Sequence, residues 1–266
     1  MSLLNAPPCP TPIIALAQRM ADRGGDILRR YFRATIDVED KSDLSPVTIA
    51  DRETEQALRA MIEAEFPDHG ILGEEFGGVR LDAEYIWTLD PLDGTAGFIT
   101  GKPLFGILIG LLKNDIPVLG VIDHPVLNER WIGGTGMPAT HNDINVSTRP
   151  CPDIAEAMLY ATTPHMFEGT DIDAYARLCA AVKRPQYGAD CYAYGLLASG
   201  FVDLVAEATM KPCDYCALAP VVEAAGGIIT DWNGEPLSLR SDGRVLAAGD
   251  PALHATALAI LNGETP

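Results

Sequence analysis

Basic residues are scarce in this chain of 266 residues, with 19 Lys and Arg against 37 Asp and Glu and a formal net charge of −18. A field of that sign repels nucleic-acid phosphates, so no direct role on DNA or RNA is expected. Long apolar runs are missing as well. The longest, Pro103 to Leu112, ends at Lys113 and falls well short of the about 20 residues needed to cross a bilayer. No membrane span is expected. Met1 to Pro12 carries no basic stretch followed by an apolar one, so the expected location is cytoplasmic. The five histidines, His69, His124, His141, His165 and His254, never fall at H-x-x-H or H-E-x-x-H spacing, which gives zinc catalysis no support. Of the six cysteines, Cys213 and Cys216 form a C-x-x-C without a second pair or a neighbouring histidine, and all six read as reduced, buried thiols.

What is present is the substance of a folded protein. With 47% hydrophobic and 21% charged residues, a chain of this length buries about three quarters of its unfolded surface. Disorder and a disulfide-stapled miniprotein are excluded. Thr11-Pro12 reads as the cap and first turn of a long helix to Phe32, loosened at Gly24-Gly25. Thr48 caps a second helix that runs to Phe66-Pro67, and the segment from Gly70 to Gly78 breaks it. Tyr85 to Leu89, Leu104 to Leu112, Val118 to Ile122 and Arg130 to Ile132 read as strands of an antiparallel sheet, with a hairpin turn at Lys113-Asn114-Asp115. From Asn145 onward short strands near Met158, Val202, Ile228 and Val245 alternate with helices over Asp171 to Val182, Asp190 to Ser199, Asp214 to Ala225 and Pro251 to Leu261. No repeat, low-complexity tract or linker separates the halves, 1–143 as an α+β unit and 144–266 as an α/β unit, so they are expected to pack together.

The chemistry-bearing residues are acidic. In Trp87-Thr-Leu-Asp90-Pro91-Leu92-Asp93-Gly94-Thr95 a strand enters a turn that Pro91 stiffens and Gly94 tightens, so Asp90, Asp93 and the Leu92 carbonyl can converge. Oxygen donors of this kind suit hard cations such as Mg²⁺. The backbone N–H groups at Gly94 and Thr95 open a helical turn that favours an anion such as phosphate. Glu74, after Ile71-Leu72-Gly73, Asp51 beside Thr48, and Asp214 in the first turn of a helix add to the set.

Ser45-Pro-Val-Thr-Ile-Ala-Asp51, Gly73-Glu-Glu75, Asp90-Pro-Leu-Asp-Gly-Thr95 and Pro212-Cys-Asp214 with Glu223-Ala-Ala-Gly-Gly227 stand in this order. In these motifs the chain resembles the inositol monophosphatase superfamily of Mg²⁺-dependent, Li⁺-sensitive phosphatases, from the first helix to about Gly249. The resemblance implies an α+β fold, a five-layered α-β-α-β-α sandwich of the inositol monophosphatase and fructose-1,6-bisphosphatase type, usually dimeric. It implies two or three Mg²⁺ ions on Glu74, Asp90, the Leu92 carbonyl, Asp93 and Asp214. Asp51 and Thr95 then orient the attacking water, with Glu74 also among the catalytic residues. Most metal ligands thus fall in 1–143, and the last falls in 144–266 with the substrate-side residues. Cys213 departs from the family, which commonly has Trp before the last metal-binding Asp.

Within the superfamily the wording resembles the histidinol-phosphate phosphatase branch, in Lys41-Ser-Asp-Leu-Ser-Pro-Val-Thr48, Phe98-Ile-Thr-Gly-Lys-Pro-Leu-Phe-Gly106, Val121-Ile-Asp-His-Pro125 and Asp190-Cys-Tyr-Ala-Tyr194. Ala96 departs from it, since the branch often carries a basic residue there. Such a substrate brings an ammonium and an imidazole, which want carboxylates and flat side chains. Asp190 and Glu207 are the candidate charges. Tyr192 and Tyr194 are wall or core, and at i, i+2 they cannot both face the pocket. Lys41 either draws in phosphate or is a solvated loop lysine. Inositol-1-monophosphatase and phosphoadenosine phosphatase are the enzymatic alternatives, and a regulatory binding protein on the same fold is the non-enzymatic one, which the complete acidic set disfavours.

Overall fold

The computed structural model describes residues 8–35, 37–40 and 46–264. It opens with α1 (Thr11–Tyr31), β1 (Val38–Asp40), β2 (Pro46–Thr48) and α2 (Ile49–Glu65). There follow β3 (Gly70–Gly73), β4 (Gly77–Val79), β5 (Tyr85–Asp93), the short α3 (Thr95–Ile99), β6 (Gly106–Lys113), β7 (Ile116–His124), β8 (Glu129–Gly134), β9 (Met137–His141) and β10 (Ile144–Asn145). The remainder holds β11 (Met158–Ala161), α4 (Thr170–Ala181), β12 (Arg184–Tyr187), α5 (Tyr192–Ala198), β13 (Leu204–Glu207), α6 (Pro212–Ala224), β14 (Ile228–Thr230), β15 (Val245–Ala248) and α7 (Pro251–Leu261).

Besides a two-stranded antiparallel ribbon of β1 and β2, two larger sheets and three helical layers stack as α-β-α-β-α. The eight-stranded sheet runs β10-β9-β8-β7-β6-β5-β3-β4, and the five-stranded sheet β12-β11-β13-β15-β14. The cause is legible in β6. Ile107, Ile109 and Leu111 face α1 and α2, while Leu108 and Leu112 face α5 and α6 between the sheets. A strand covered on both faces has no polar side, which is why it reads as a continuous apolar run. A third core, with Leu159, Leu178, Leu204 and Leu253, joins α4 and α7 to the outer face of the second sheet.

Several expectations change. Gly70 to Gly78 is more than a helix breaker, since it forms β3 and β4, and β3 pairs parallel with β5, so the first sheet is not purely antiparallel. Gly24-Gly25 does not loosen α1. Both are buried inside an unbroken helix, and a Cβ on Gly24 would lie 2.7 Å from Ile107 Cδ1, so the glycine serves close packing on the sheet. Thr11 is the first helical residue and not the cap, which is Pro10. The hairpin turn stands as expected, with Asn114 and Asp115 at φ 50° and 67°.

The helix α6 lies in a trough of the first sheet. Gly110, Gly120 and Gly133 are register partners on β6, β7 and β8. A Cβ on Gly133 would come 2.7 Å from Val221 Cα, one on Gly110 3.0 Å from Ala217 N, and one on Gly120 would overlap the Ala217 carbonyl. Backbone therefore meets backbone along this line.

Candidate active site

By strand alternation Asp90 and Asp93 would point to opposite faces, because they stand at i and i+3 with Pro91 and Leu92 between them. A break in register against β6 between Asp90 and Asp93 removes that conflict, as a bulge that re-aims a side chain. The Leu92 N–H donates to Asp90 Oδ1 at 2.9 Å, closing a turn around Pro91. Gly94 takes φ 82°, and α3 starts behind it. Asp214, from α6, accepts the Lys211 N–H at 2.8 Å. Glu74 hangs from the end of β3, with its N–H donating to the Leu89 carbonyl at 3.1 Å and Lys211 Nζ 3.2 Å from its Oε1.

These carboxylates crowd each other. Burial raises the Asp90 carboxyl well above its ordinary range, and the charges of Glu74, Asp93 and Asp214 raise it further. Asp93 is raised by burial and by Asp190 and Asp214. Asp214 is pushed up to about 7 by burial and then by Glu74, against the lowering by the Lys211 N–H. Among the described residues, no three His, Cys, Asp or Glu side chains form a ready-made cage.

Asp51 sits fully buried at the start of α2, where Oδ2 accepts from the Thr48 N–H at 2.8 Å and the Thr48 hydroxyl at 2.7 Å. This capping box leaves Oδ1 toward Thr95 Oγ1, 3.4 Å away, and that hydroxyl also donates to the Leu92 carbonyl at 2.9 Å. One turn further, the buried Glu55 accepts the N–H groups of Glu75 and Phe76 at 2.7 and 3.2 Å, holding the loop that carries Glu74. Glu55 escaped the sequence reading, although its i+4 spacing from Asp51 puts both on one helix face.

The organic side is a cavity of about 170 Å³ between Asp93, Asp214, Asp190, Tyr194, Glu207 and Met210. Glu207 is buried and already satisfied. Its Oε1 accepts from the Thr162 N–H at 2.8 Å and hydroxyl at 2.6 Å, and its Oε2 from the Tyr194 hydroxyl at 2.9 Å. Asp190 lies before α5, not in it, at φ 49°. Lys102 Nζ stands 4.0 Å from Asp190 and bonds the Gly188 carbonyl. Burial raises the Asp190 carboxyl, and Lys102 and Thr162 oppose this. Tyr194 faces the cavity, whereas Tyr192 does not. The Tyr192 hydroxyl donates to Glu129 at 2.7 Å and its ring packs edge-on against His124 and Trp131, because a helix turns two successive odd positions apart. Lys41 lies outside the described residues. Lys102 lies inside the Phe98 to Gly106 segment, whose wording gave it no role, and Thr162 and Lys211 carried no motif that marked them.

Two larger hollows lie elsewhere. One of about 370 Å³ surrounds Arg130, whose guanidinium already pairs with Asp123 and Asp22, and one of about 660 Å³ near Ile116 and Leu237 is largely apolar. Neither holds the carboxylate cluster.

A strand bulge and two helix starts thus bring the carboxylates of both halves of the chain into one acidic pocket. The family model for the inositol monophosphatase family matches residues 10–265, and the chain belongs to that family. It is 49% identical over 253 residues, 92% of its own length and 73% of the other, to Bifunctional phosphatase IMPL2, chloroplastic, of Arabidopsis thaliana. It is 33% identical over 257 residues, 96% and 98% of the two chains, to a histidinol-phosphatase of Chlorobaculum parvum. A solved inositol monophosphatase from Zymomonas mobilis superposes with a TM-score of 0.87 at 44% identity, covering 94% of this chain and 98% of that one. The chain is thus a phosphatase of this family, and no helix among its described residues is long and apolar enough to cross a membrane.

Proposed function

We propose that the protein hydrolyses histidinol phosphate to histidinol and phosphate, using Mg²⁺ held by Glu74, Asp90, the Leu92 carbonyl, Asp93 and Asp214. The observation that carries the cation is the crowding of carboxylates whose charges raise one another, with no cage closed around them. Mg²⁺ suits such a site, since it keeps waters and is held by a few carboxylates together with substrate phosphate. An anionic substrate would otherwise meet only repulsion there. A divalent cation supplies charge neutralisation for the phosphate and a lowered pKa for water. Asp51 and Thr95 would orient the attacking water, the Thr95 hydroxyl passing its own proton to Asp51 Oδ1 as it takes one from the water, and the N–H groups at Gly94 and Thr95 would meet the phosphate.

The alcohol side favours a cation. Asp190 is the carboxylate there that the protein has not saturated with short hydrogen bonds, since Glu207 already takes three from Thr162 and Tyr194. In this reading Asp190 takes the substrate ammonium, and Tyr194 and Glu207 shape the wall. The name of the Chlorobaculum relative, a histidinol-phosphatase, supports it. The Zymomonas structure favours a second reading, inositol 1-phosphate as substrate. The two halves, 1–143 and 144–266, act as one unit, and a cytoplasmic homodimer is the working form. Phosphate release from histidinol phosphate, inositol 1-phosphate and glycerol 2-phosphate, with Mg²⁺ or with excess EDTA, tests all of this. Histidinol phosphate should be preferred by kcat/KM and EDTA should stop every reaction. A preference for inositol 1-phosphate overturns the substrate.

A further inference from the structure

Asp190 adopts a left-handed backbone conformation, φ 49°, which a non-glycine residue rarely takes and which its surroundings must enforce. The neighbour that enforces it is Cys191. Its N–H donates to Asp93 Oδ2 at 2.8 Å, and its sulfur lies 3.6 Å from His124 Nε2. Beneath the sulfur is Gly106, where a Cβ would come within 2.7 Å, so no side chain other than hydrogen leaves room for the thiol.

The direction of the sulfur bond follows from its other end. His124 Nδ1 is 2.8 Å from the Phe105 carbonyl oxygen, which can only accept. Nδ1 therefore carries the proton, and Nε2 accepts from the Cys191 thiol. The imidazole is fully buried and held edge-on by Trp131 and Tyr192, at centroid distances of 6.0 and 4.9 Å. Burial lowers its pKa to about 4, so it stays neutral near pH 7. A Cys beside a His suggests a nucleophile and its base. Here the thiol is turned inward and buried, and the backbone amide, not the sulfur, faces Asp93.

We propose that Cys191 and His124 form a positioning pair whose thiol–imidazole bond holds the Asp190 turn, and that this bond sets the preference for a cationic alcohol. The inference rests on the reading of Asp190 as the ammonium-binding residue. It adds that selectivity is built at the floor of the pocket, by Cys191, which lines the cavity from the loop before α5, and by His124 of β7 behind it.

The test uses the full chain with Mg²⁺ and three variants, Cys191→Ala, Cys191→Ser and His124→Phe, assayed on histidinol phosphate and glycerol 2-phosphate. His124→Phe keeps the ring packing and loses both bonds. Cys191→Ala and His124→Phe should each lower the ratio of kcat/KM between the two substrates by about fivefold, as expected for loss of one neutral hydrogen bond. The change should appear in KM for histidinol phosphate more than in kcat. Cys191→Ser, which keeps a donor, should recover most of the ratio, and the double variant should be no worse than either single one. Both rates falling together with the ratio unchanged, or Ser behaving as Ala, overturns the proposal while leaving the substrate reading intact. A wild-type enzyme without preference for histidinol phosphate overturns the substrate reading, and the selectivity role falls with it.

Discussion

The two sides of the pocket handle negative charge in opposite ways. Around Asp90, carboxylates raise each other's pKa and the protein supplies few donors, with Leu92 N–H on Asp90 and Lys211 N–H on Asp214. Around Glu207 the protein supplies three donors to a single carboxylate. The first side is left short of positive charge, as the proposed cation site would be. The second is finished before substrate arrives, so it can select by shape and by Asp190, which is held less tightly, with Lys102 at 4.0 Å and Thr162 beside it.

The sharpest test of that contrast removes one charge from the crowded side. Asp90→Asn should lower kcat/KM by about a thousandfold or more, because a neutral amide is a poor Mg²⁺ donor. Its circular dichroism should match wild type, and its metal-free Tm should not fall, since repulsion is relieved. Substantial turnover by Asp90→Asn would remove the metal site from this side.

Next in size is the water-orienting pair. Thr95→Ala should cut kcat by about a hundredfold with little change in KM. Asp51→Asn should do the same and also lose about 1 kcal/mol of stability, because its Oδ2 closes the cap of α2. A double mutant showing the full product of two large losses would mean that the residues act separately.

On the finished side, Asp190→Asn should lower kcat/KM for histidinol phosphate about ten- to hundredfold, the worth of one charge-assisted contact, and harm glycerol 2-phosphate far less. Glu207→Gln should differ in kind. Its amide must turn NH₂ hydrogens toward donors on Thr162 or Tyr194, so Tm should fall and both substrates should suffer. If the two mutants behave alike, the division between a saturated and an available carboxylate is wrong.

The smallest effect is one of pH. The Asp214 carboxyl stands at about 7 against an ordinary 3.8, so between those values the folded chain keeps a proton that the unfolded chain has released. The stability it adds is complete below the lower value and drains as pH rises through the upper one. Metal-free wild type should therefore lose Tm relative to Asp214→Asn between pH 5 and 8, at about 2–4 °C per kcal/mol. Saturating Mg²⁺ should narrow the gap. Parallel curves for the two proteins would show that Asp214 is not under charge stress.

What could be read without coordinates follows the same divide. Asp90 to Thr95 make their turn with neighbours in sequence, so Pro91, Gly94 and the paired aspartates announced it, and Thr48 with Asp51 announced the cap of α2. The strands β3, β4 and β12 went unread because glycines and Pro185 interrupt the alternation that marks a strand. Glu207 could be suspected from its place before Asp214, but not its saturation, because Thr162 and Tyr194 reach it only through the packing of β11 and α5. Cys191 and His124 stand 67 residues apart and nothing local joins them. The α5 boundary was drawn at Asp190 because an acidic residue commonly opens a helix, and here the left-handed turn wins instead.

The glycine trough under α6 has a bearing on how damage to this enzyme would look. Asp90 and Asp93 ride on β5, while Asp214 rides on α6, so the distance between donors from the two halves is set by how deeply the helix beds into Gly110, Gly120 and Gly133. A single methyl at Gly120 would lift the helix from the Ala217 carbonyl and carry Asp214 with it. Every carboxylate would survive such a change, yet the gap that the proposed cations would span would be wrong. A mutational survey scored by abundance would see the cost of overpacking there, and one scored by activity per folded molecule would show a further loss, at a residue with no side chain and no charge.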